Sequence, residues 1–211
     1  PLLLDGLKRL EYRGYDSSGL VILSQDNKLV RERAAGKVSN LENNLKLKKP
    51  SLKGNIGLAH TRWATHGKPS VNNAHPHISK NSISVVHNGI IENYIELKDL
   101  QMKQDYAFTS ETDTEVIAHA IESAIKSSNS LLKATQKAIK TLDGSYGIGI
   151  LSSKYPDQII AARKGSPLVI GIGDNGNYVA SDQMALLSVT DKFIFLEEGD
   201  IAEIKLDKIT I

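Results

Sequence analysis

The chain has 211 residues, 40% of them hydrophobic and 24% charged, with Lys+Arg 26 against Asp+Glu 24 and a formal net charge of +2. That balance suits one sizeable domain and lacks the basic footprint of a nucleic-acid binder. No apolar run approaches the roughly 20 residues that cross a bilayer and no signal-peptide pattern opens the sequence, so a cytoplasmic protein with neither nucleic acid nor membrane as partner is expected. Cysteine is absent, which excludes disulfides, thiolate metal sites and a cysteine nucleophile within these residues.

The helical pattern starting near Pro1 has no capping residue before it, so the chain is expected to open inside an element, with a segment missing upstream. Strands are predicted at Gly19-Leu20-Val21-Ile22-Leu23, Asn55-Ile56-Gly57-Leu58-Ala59 and Ile83-Ser84-Val85-Val86, where branched residues are bounded by polar or glycine positions. The basic run from Lys46 to Lys53 reads as a solvated surface loop. Thr112-x-x-Glu115 has the spacing of a capping box, and Val116, Ile117, Ala120, Ile121, Ala124 and Ile125 repeat behind it at helical spacing. A second helix is expected from about Leu131 to Leu142. Further strands follow at Tyr146 to Leu151, Gln158 to Ala162, Leu168 to Ile172, Tyr178 to Ala180, Phe193 to Leu196 and Ile201 to Ile204. Elements of one kind come in groups rather than alternating, which favours α+β layering over a doubly wound sheet. Gly171-Ile172-Gly173-Asp174-Asn175-Gly176 has dinucleotide-type spacing, but a strand rather than a helix follows it; it reads as a hairpin turn that uses the left-handed tolerance of Asn and Gly.

Chemistry concentrates in three blocks: His60-Thr61-Arg62-Trp63-Ala64-Thr65-His66-Gly67, Val85-Val86-His87-Asn88-Gly89-Ile90-Ile91 and Ser110-Glu111-Thr112-Asp113-Thr114-Glu115. Five of the six histidines lie between His60 and His87, yet no His-x-x-x-His falls on a helix and no carboxylate cluster accompanies them, so no metal is expected. His119 reads as a packed or half-exposed helix residue. Arg62 offers a planar fork suited to an α-carboxylate, and Asp113 an acceptor suited to an α-ammonium group. The Asn88 amide beside the close-approaching N–H of Gly89 supplies two donors of the kind that stabilise a tetrahedral oxyanion. A buried Arg-Asp pair with Asn-Gly as an ordinary turn explains the same residues, and spacing alone does not choose between the two.

A resemblance does. Glu11-Tyr12-Arg13-Gly14-Tyr15-Asp16-Ser17-Ser18-Gly19, the His60 block, Asn73-Ala74-His75-Pro76-His77, His87 to Asn93, Ser110 to Glu115, Arg163 to Leu168, Ala180 to Gln183 and Phe195 to Asp200 resemble the glutaminase domain of the glutamine:fructose-6-phosphate amidotransferase (glucosamine-6-phosphate synthase) family. The likeness covers essentially residues 1–211, read as a single type-2 glutamine amidotransferase domain truncated at its N-terminus and without the sugar isomerase domains. It implies an α+β fold: the four-layer αββα sandwich of N-terminal nucleophile hydrolases. It further implies L-glutamine held by Arg62 and Asp113, with Thr65 and His66 around the amino-acid head and Trp63 in a closing loop. Asn88 and Gly89 would form the oxyanion hole, and Arg13 would steady the loops.

In that family an N-terminal cysteine, activated by its own α-amino group, forms a γ-glutamyl thioester and releases ammonia. The family's opening Cys-Gly-Ile-Val-Gly type strand is not in this sequence, so the 211 residues alone are expected to bind glutamine poorly and to hydrolyse none. No cofactor is implied. Fructose 6-phosphate would be met only through the absent isomerase half, and the full-length protein would be a homo-oligomer. A glutamine-binding or regulatory module without a nucleophile, and the glutaminase half of another type-2 amidotransferase, are the alternatives.

Overall fold

The computed structural model describes residues 1–48 and 53–211. Helix α1 (Leu2–Leu10) opens at Pro1 with no side-chain cap. It leads through a 3-10 turn into strand β1 (Ser17–Leu23), which lies between β2 (Leu29–Ala35) and β3 (Ile56–Arg62) in an antiparallel three-stranded sheet. Helix α2 (Val38–Lys48) joins α1 on the outer face of that sheet, around Leu7, Leu20, Ala34, Val38 and Leu41.

A six-stranded antiparallel sheet forms the centre. Its strands are β4 (His77–Ser79), β5 (Ile83–Ile91), β6 (Gly144–Ser152), β7 (Tyr155–Lys164), β11 (Ile201–Lys205) and β12 (Ile209–Thr210), in the order β12-β11-β7-β6-β5-β4. A third sheet has the order β10-β8-β9, from β8 (Val169–Gly173), β9 (Gly176–Ala180) and β10 (Lys192–Phe195).

Period-two alternation sorts the central sheet's side chains between two cores. Ile83, Val85, Ile91, Tyr146, Ile148, Ile150, Ile160 and Ala162 face α4 (Glu115–Ile125) and α5 (Leu131–Ile139). Their neighbours point the other way: Leu151 meets Val21, Leu23 and Leu58 of the first sheet, while Ala161, Ala202 and Ile204 meet Leu168 and Ile170 of the third. Helices, six-stranded sheet, a second β layer made of two three-stranded sheets, and α1 with α2 thus stack as the expected αββα sandwich.

The structure departs from the sequence reading at several elements. Thr112 does not cap α4. Its hydroxyl bonds the ring of His77 at 3.0 Å, and the Glu115 carboxylate turns back onto the backbone N–H groups of Thr109 and Ser110. The α5 helix stops at Ile139, and it is Ser130 that accepts a cap bond, from Lys133 N–H. The basic run is helical where it begins, in α2, with Lys46 paired to Glu42; residues 49–52 lie outside the described residues. Asp174 and Asn175 do turn a hairpin between β8 and β9, but the positive φ falls on Gly176 rather than on Asn175. Strands β2, β4 and β12, and helices α2 and α3 (Tyr94–Met102), were not anticipated.

Candidate active site

Strands β3 and β9 are edge strands of their sheets, each paired on one side, and both border a cavity of about 1110 Å³. Gly147 and Gly149, on the face of β6 turned away from the helices, floor it where larger residues would fill it. Arg13, Arg62, Trp63, Thr65, His66, Asn88, Gly89 and Asp113 all line this one cavity, although they come from four separate stretches of chain.

Asn88 and Gly89 are not a turn. They sit inside β5, opposite Gly147 and Tyr146 of β6, in an unbroken register from Ile83 to Ile91. The backbone N–H of Ile91 donates to Asp113 Oδ2 at 2.8 Å and that of His87 donates to His75 Nδ1 at 3.3 Å, so both point away from β6. Alternation along a strand places the Gly89 N–H, midway between them, on that same edge. Gly89 has φ +130°, and a Cβ there would stand 2.1 Å from the Ser145 carbonyl oxygen, so no other residue fits the backbone path. The Asn88 side chain lies on the cavity face, its Oδ1 2.9 Å from His60 Nε2 on β3.

Asp113 is buried. Its Oδ2 is engaged by Ile91, and Oδ1 lies 3.9 Å from His66 Nδ1. Arg62, equally buried at the end of β3, stands 3.5 Å from Asp16 Oδ1 and donates from Nη2 to the carbonyls of His66 and Gly67. The two carbonyl bonds hold the loop from Trp63 to Gly67, and together with the Asp16 contact they leave Nε–H and one Nη1–H of the five guanidinium donors. Asn73 ties the same loop region to the Asp113 segment, bonding the Lys68 carbonyl, the Glu111 carboxylate and the Glu111 N–H. Trp63 is 69% exposed, its ring laid against Gly14, where a Cβ would come within 1.9 Å of it. Arg13 reaches across to Ser181 Oγ at the end of β9, 3.2 Å away.

A layer of imidazoles behind these groups was read from sequence only as a rejected metal site. His60 and His75 stack at 4.2 Å between ring centroids, and His75 meets His77 edge-on at 4.9 Å. Thr114 Oγ1 lies within 3.0 Å of His87 Nδ1 and 3.3 Å of His75 Nε2. Burial, the largest cause in each case, makes protonation of all four rings harder: His60 falls to about 4, His75 and His77 fall well below the ordinary value, and His87 falls despite the opposing Asp113 carboxylate. His119, half-exposed or packed by sequence, is packed, with Nδ1 2.8 Å from Ser79 Oγ. Among the described residues no His, Asp or Glu group is arranged to hold a metal, and no helix is long and apolar enough to cross a membrane.

A buried carboxylate, a buried guanidinium and the Asn88-Gly89 pair thus border one cleft. Residues 60–188 match the glutamine amidotransferase domain model, and the chain belongs to that family. It is 55% identical over 210 residues to a glutamine--fructose-6-phosphate aminotransferase [isomerizing] of Pseudomonas putida, and 56% identical over 203 residues to the Haemophilus influenzae protein of the same name. These alignments take in 100% and 96% of this chain but only 34% and 33% of the relatives, so the chain spans about a third of their length. Among solved structures, a glutamine phosphoribosylpyrophosphate amidotransferase from B. subtilis superposes with a TM-score of 0.82 at 26% identity, covering 99% of this chain and 45% of that one.

Proposed function

We propose that these residues are the glutamine-hydrolysing part of a cytoplasmic enzyme that passes the amide nitrogen of L-glutamine to fructose 6-phosphate, yielding glucosamine 6-phosphate. The observation that carries the reading is the convergence of the Gly89 N–H and the Asn88 amide on the cavity that Arg62 and Asp113 border. The α-carboxylate of glutamine takes the remaining Arg62 donors and its α-ammonium group takes Asp113 Oδ1, with Thr65 and His66 beside it. The side-chain carbonyl then lies toward β5, where nucleophilic attack turns it into a tetrahedral oxyanion held by Asn88 and Gly89. Collapse, with the proton taken from the nucleophilic thiol passed on to the departing amide nitrogen, expels ammonia and leaves a γ-glutamyl thioester, which water hydrolyses to glutamate. Trp63 covers the ligand, and Arg13 fastens the α1–β1 connection to β9.

With no cysteine in the 211 residues, the thiolate belongs to a strand outside this sequence. The cavity suits such a strand: it runs between the outer edges of β3 and β9 and is walled by Leu20, Ile22, Leu58, Leu168 and Val179, so an extended segment there finds backbone partners on both sides. A second reading is a glutamine-binding module without hydrolysis. The full-length protein, on this reading a homo-oligomer carrying the isomerase half, decides between them. It should release glutamate and ammonia from glutamine and form glucosamine 6-phosphate, while the 211 residues alone turn nothing over. Glutamine binding without ammonia release by the full-length protein establishes the second reading instead.

A further inference from the structure

An asparagine amide has two faces of opposite sense, and only its N–H₂ end can stabilise an oxyanion. Turned over, the same side chain would present a lone pair to the developing negative charge. Something must therefore hold Asn88 the right way round. Its neighbours along β5 do not, because Val86 and Ile90 on the same face are apolar. The polar group in reach comes from the opposite sheet: His60 Nε2, 2.9 Å from Asn88 Oδ1.

We propose that His60 is the positioning residue of the oxyanion hole: its Nε2–H binds the oxygen end of the Asn88 amide and so aims the amide N–H₂ at the substrate carbonyl. This rests on the reading of Asn88 as an oxyanion donor. Four observations agree with it. Since the amide oxygen only accepts, the bond requires the proton on Nε2, and Nδ1 of His60, enclosed without a hydrogen-bond partner, makes no donor bond that would fix the other tautomer. The ring is clamped face to face against His75, 22° from parallel, which fixes the direction of the N–H. His75 is itself held, by the His87 N–H on Nδ1 and by Thr114 Oγ1 on Nε2, so the orientation is passed from the start of α4 to β3. Finally, His60 sits opposite Gly19 in the β1–β3 ladder, and a Cβ at Gly19 would stand 2.1 Å from the His75 carbonyl, so the sequence leaves the imidazole layer room to close up.

On this assignment His60 acts through the Asn88 amide and not on the amino-acid head, so its removal should act on turnover rather than on binding. In the full-length protein, His60→Phe keeps the ring and the stacking but loses the donor. It should lower the glutaminase kcat about 10²-fold, the effect of losing one oxyanion donor, with KM for glutamine within about threefold of the parent. His60→Gln, whose amide N–H₂ can reach where Nε2 was, should recover at least tenfold of that loss. A His60→Phe protein with parental kcat, or Phe and Gln variants equally impaired, overturns the assignment, as does a KM that rises in step with the fall in kcat. A second readout needs neither variant to be active: nitrogen NMR of histidine-labelled parent protein should show His60 as the Nε2–H tautomer with a bare Nδ1, and a protonated Nδ1 refutes the bond. Should the unsubstituted full-length protein release no ammonia, it is the glutaminase reading that falls, and the tautomer still decides on the bond.

Discussion

Asn88 and Gly89 lie inside a nine-residue strand whose pairing with β6 is continuous, whereas Trp63 to Gly67, across the cavity, have no strand partner and hang from the Arg62 guanidinium. Of the first pair, the glycine is fixed by backbone hydrogen bonds and close approach, the asparagine by a layer of buried imidazoles. The loop is fixed by one cation and a few carbonyls, and its largest side chain is mostly in solvent. Groups that meet developing charge need a geometry that does not relax, while groups that admit and cover a ligand need to move. On the proposed reading, the two walls differ in the way that division of labour requires.

The sharpest way to break the rigid wall is Gly89→Ala. The new Cβ would overlap a backbone carbonyl of β6 at a φ that alanine avoids, so neither strand can yield cheaply. A loss of about 3 kcal/mol or more in urea unfolding is expected, with glutaminase activity of the full-length protein down by ~10³. Near-parental stability would show that β5 is softer than its register implies.

Acid should attack the same wall through its histidines. Burial leaves the folded His60 with a pKa of about 4 against an ordinary 6.5, so between those values the unfolded chain binds the proton that the folded one refuses. Stability is therefore complete above about pH 6.5 and declines as pH falls toward 4. For His60 the interval corresponds to at most about 3 kcal/mol, reduced by the water that reaches the ring through the cavity. His75, His77 and His87 act in the same direction. Thermal unfolding at pH 7 and pH 4.5 measures the sum, and replacing His60 with Gln should flatten part of the slope.

Where the walls meet, Asp113 serves both, with one oxygen on the Ile91 N–H of β5 and the other toward His66 of the loop. Asp113→Asn keeps an acceptor for Ile91 while removing the charge proposed to hold the α-ammonium group. KM for glutamine should rise about 10- to 100-fold, the worth of one charged hydrogen bond, with a change in folding stability near 1 kcal/mol or less. An unaltered KM would remove Asp113 from the glutamine head.

The same contrast explains what could be read from the residues alone. Strands with alternating or branched apolar runs, such as β1, β6 and β7, were legible because their pattern is the one their own burial imposes. Strand β2, Leu29-Val30-Arg31-Glu32-Arg33-Ala34-Ala35, was not, since its charged members hide the alternation; Arg31 and Arg33 are spent on the carbonyls of Pro76, Asn72 and Ala74. Helix α2 carries mostly polar residues, and its apolar period is only three residues long, Val38, Leu41 and Leu45, so it did not stand out. The Thr112 spacing mimicked a cap because the residues that could cap a helix are the ones recruited to bond buried histidines. In the site, Arg62, Asn88 and Asp113 stood out by chemistry, but the partnership of His60 with Asn88 spans 28 residues and two sheets, and no local spacing announces it.

The smallest expected effect belongs to the loop wall. Trp63 is the single tryptophan of these 211 residues, and comparison of the parent with Trp63→Phe isolates its emission in the full-length protein. Truncating it removes contact with Gly14 and little else, and Trp63→Ala should cost no more than about 1 kcal/mol of stability, as for an exposed side chain. If the ring closes over the ligand, saturating glutamine should shift its emission to the blue as water leaves the indole, and the alanine variant should bind glutamine about tenfold more weakly with kcat less affected. Gly14→Ala offers an independent check, because its methyl group would occupy the ring's resting place and push the indole into solvent. That variant should start with redder emission than the parent and show a larger blue shift on binding, the ring now travelling further. Emission indifferent to glutamine in both proteins would make Trp63 part of a static rim, and the loop would then be as fixed as the strand it faces.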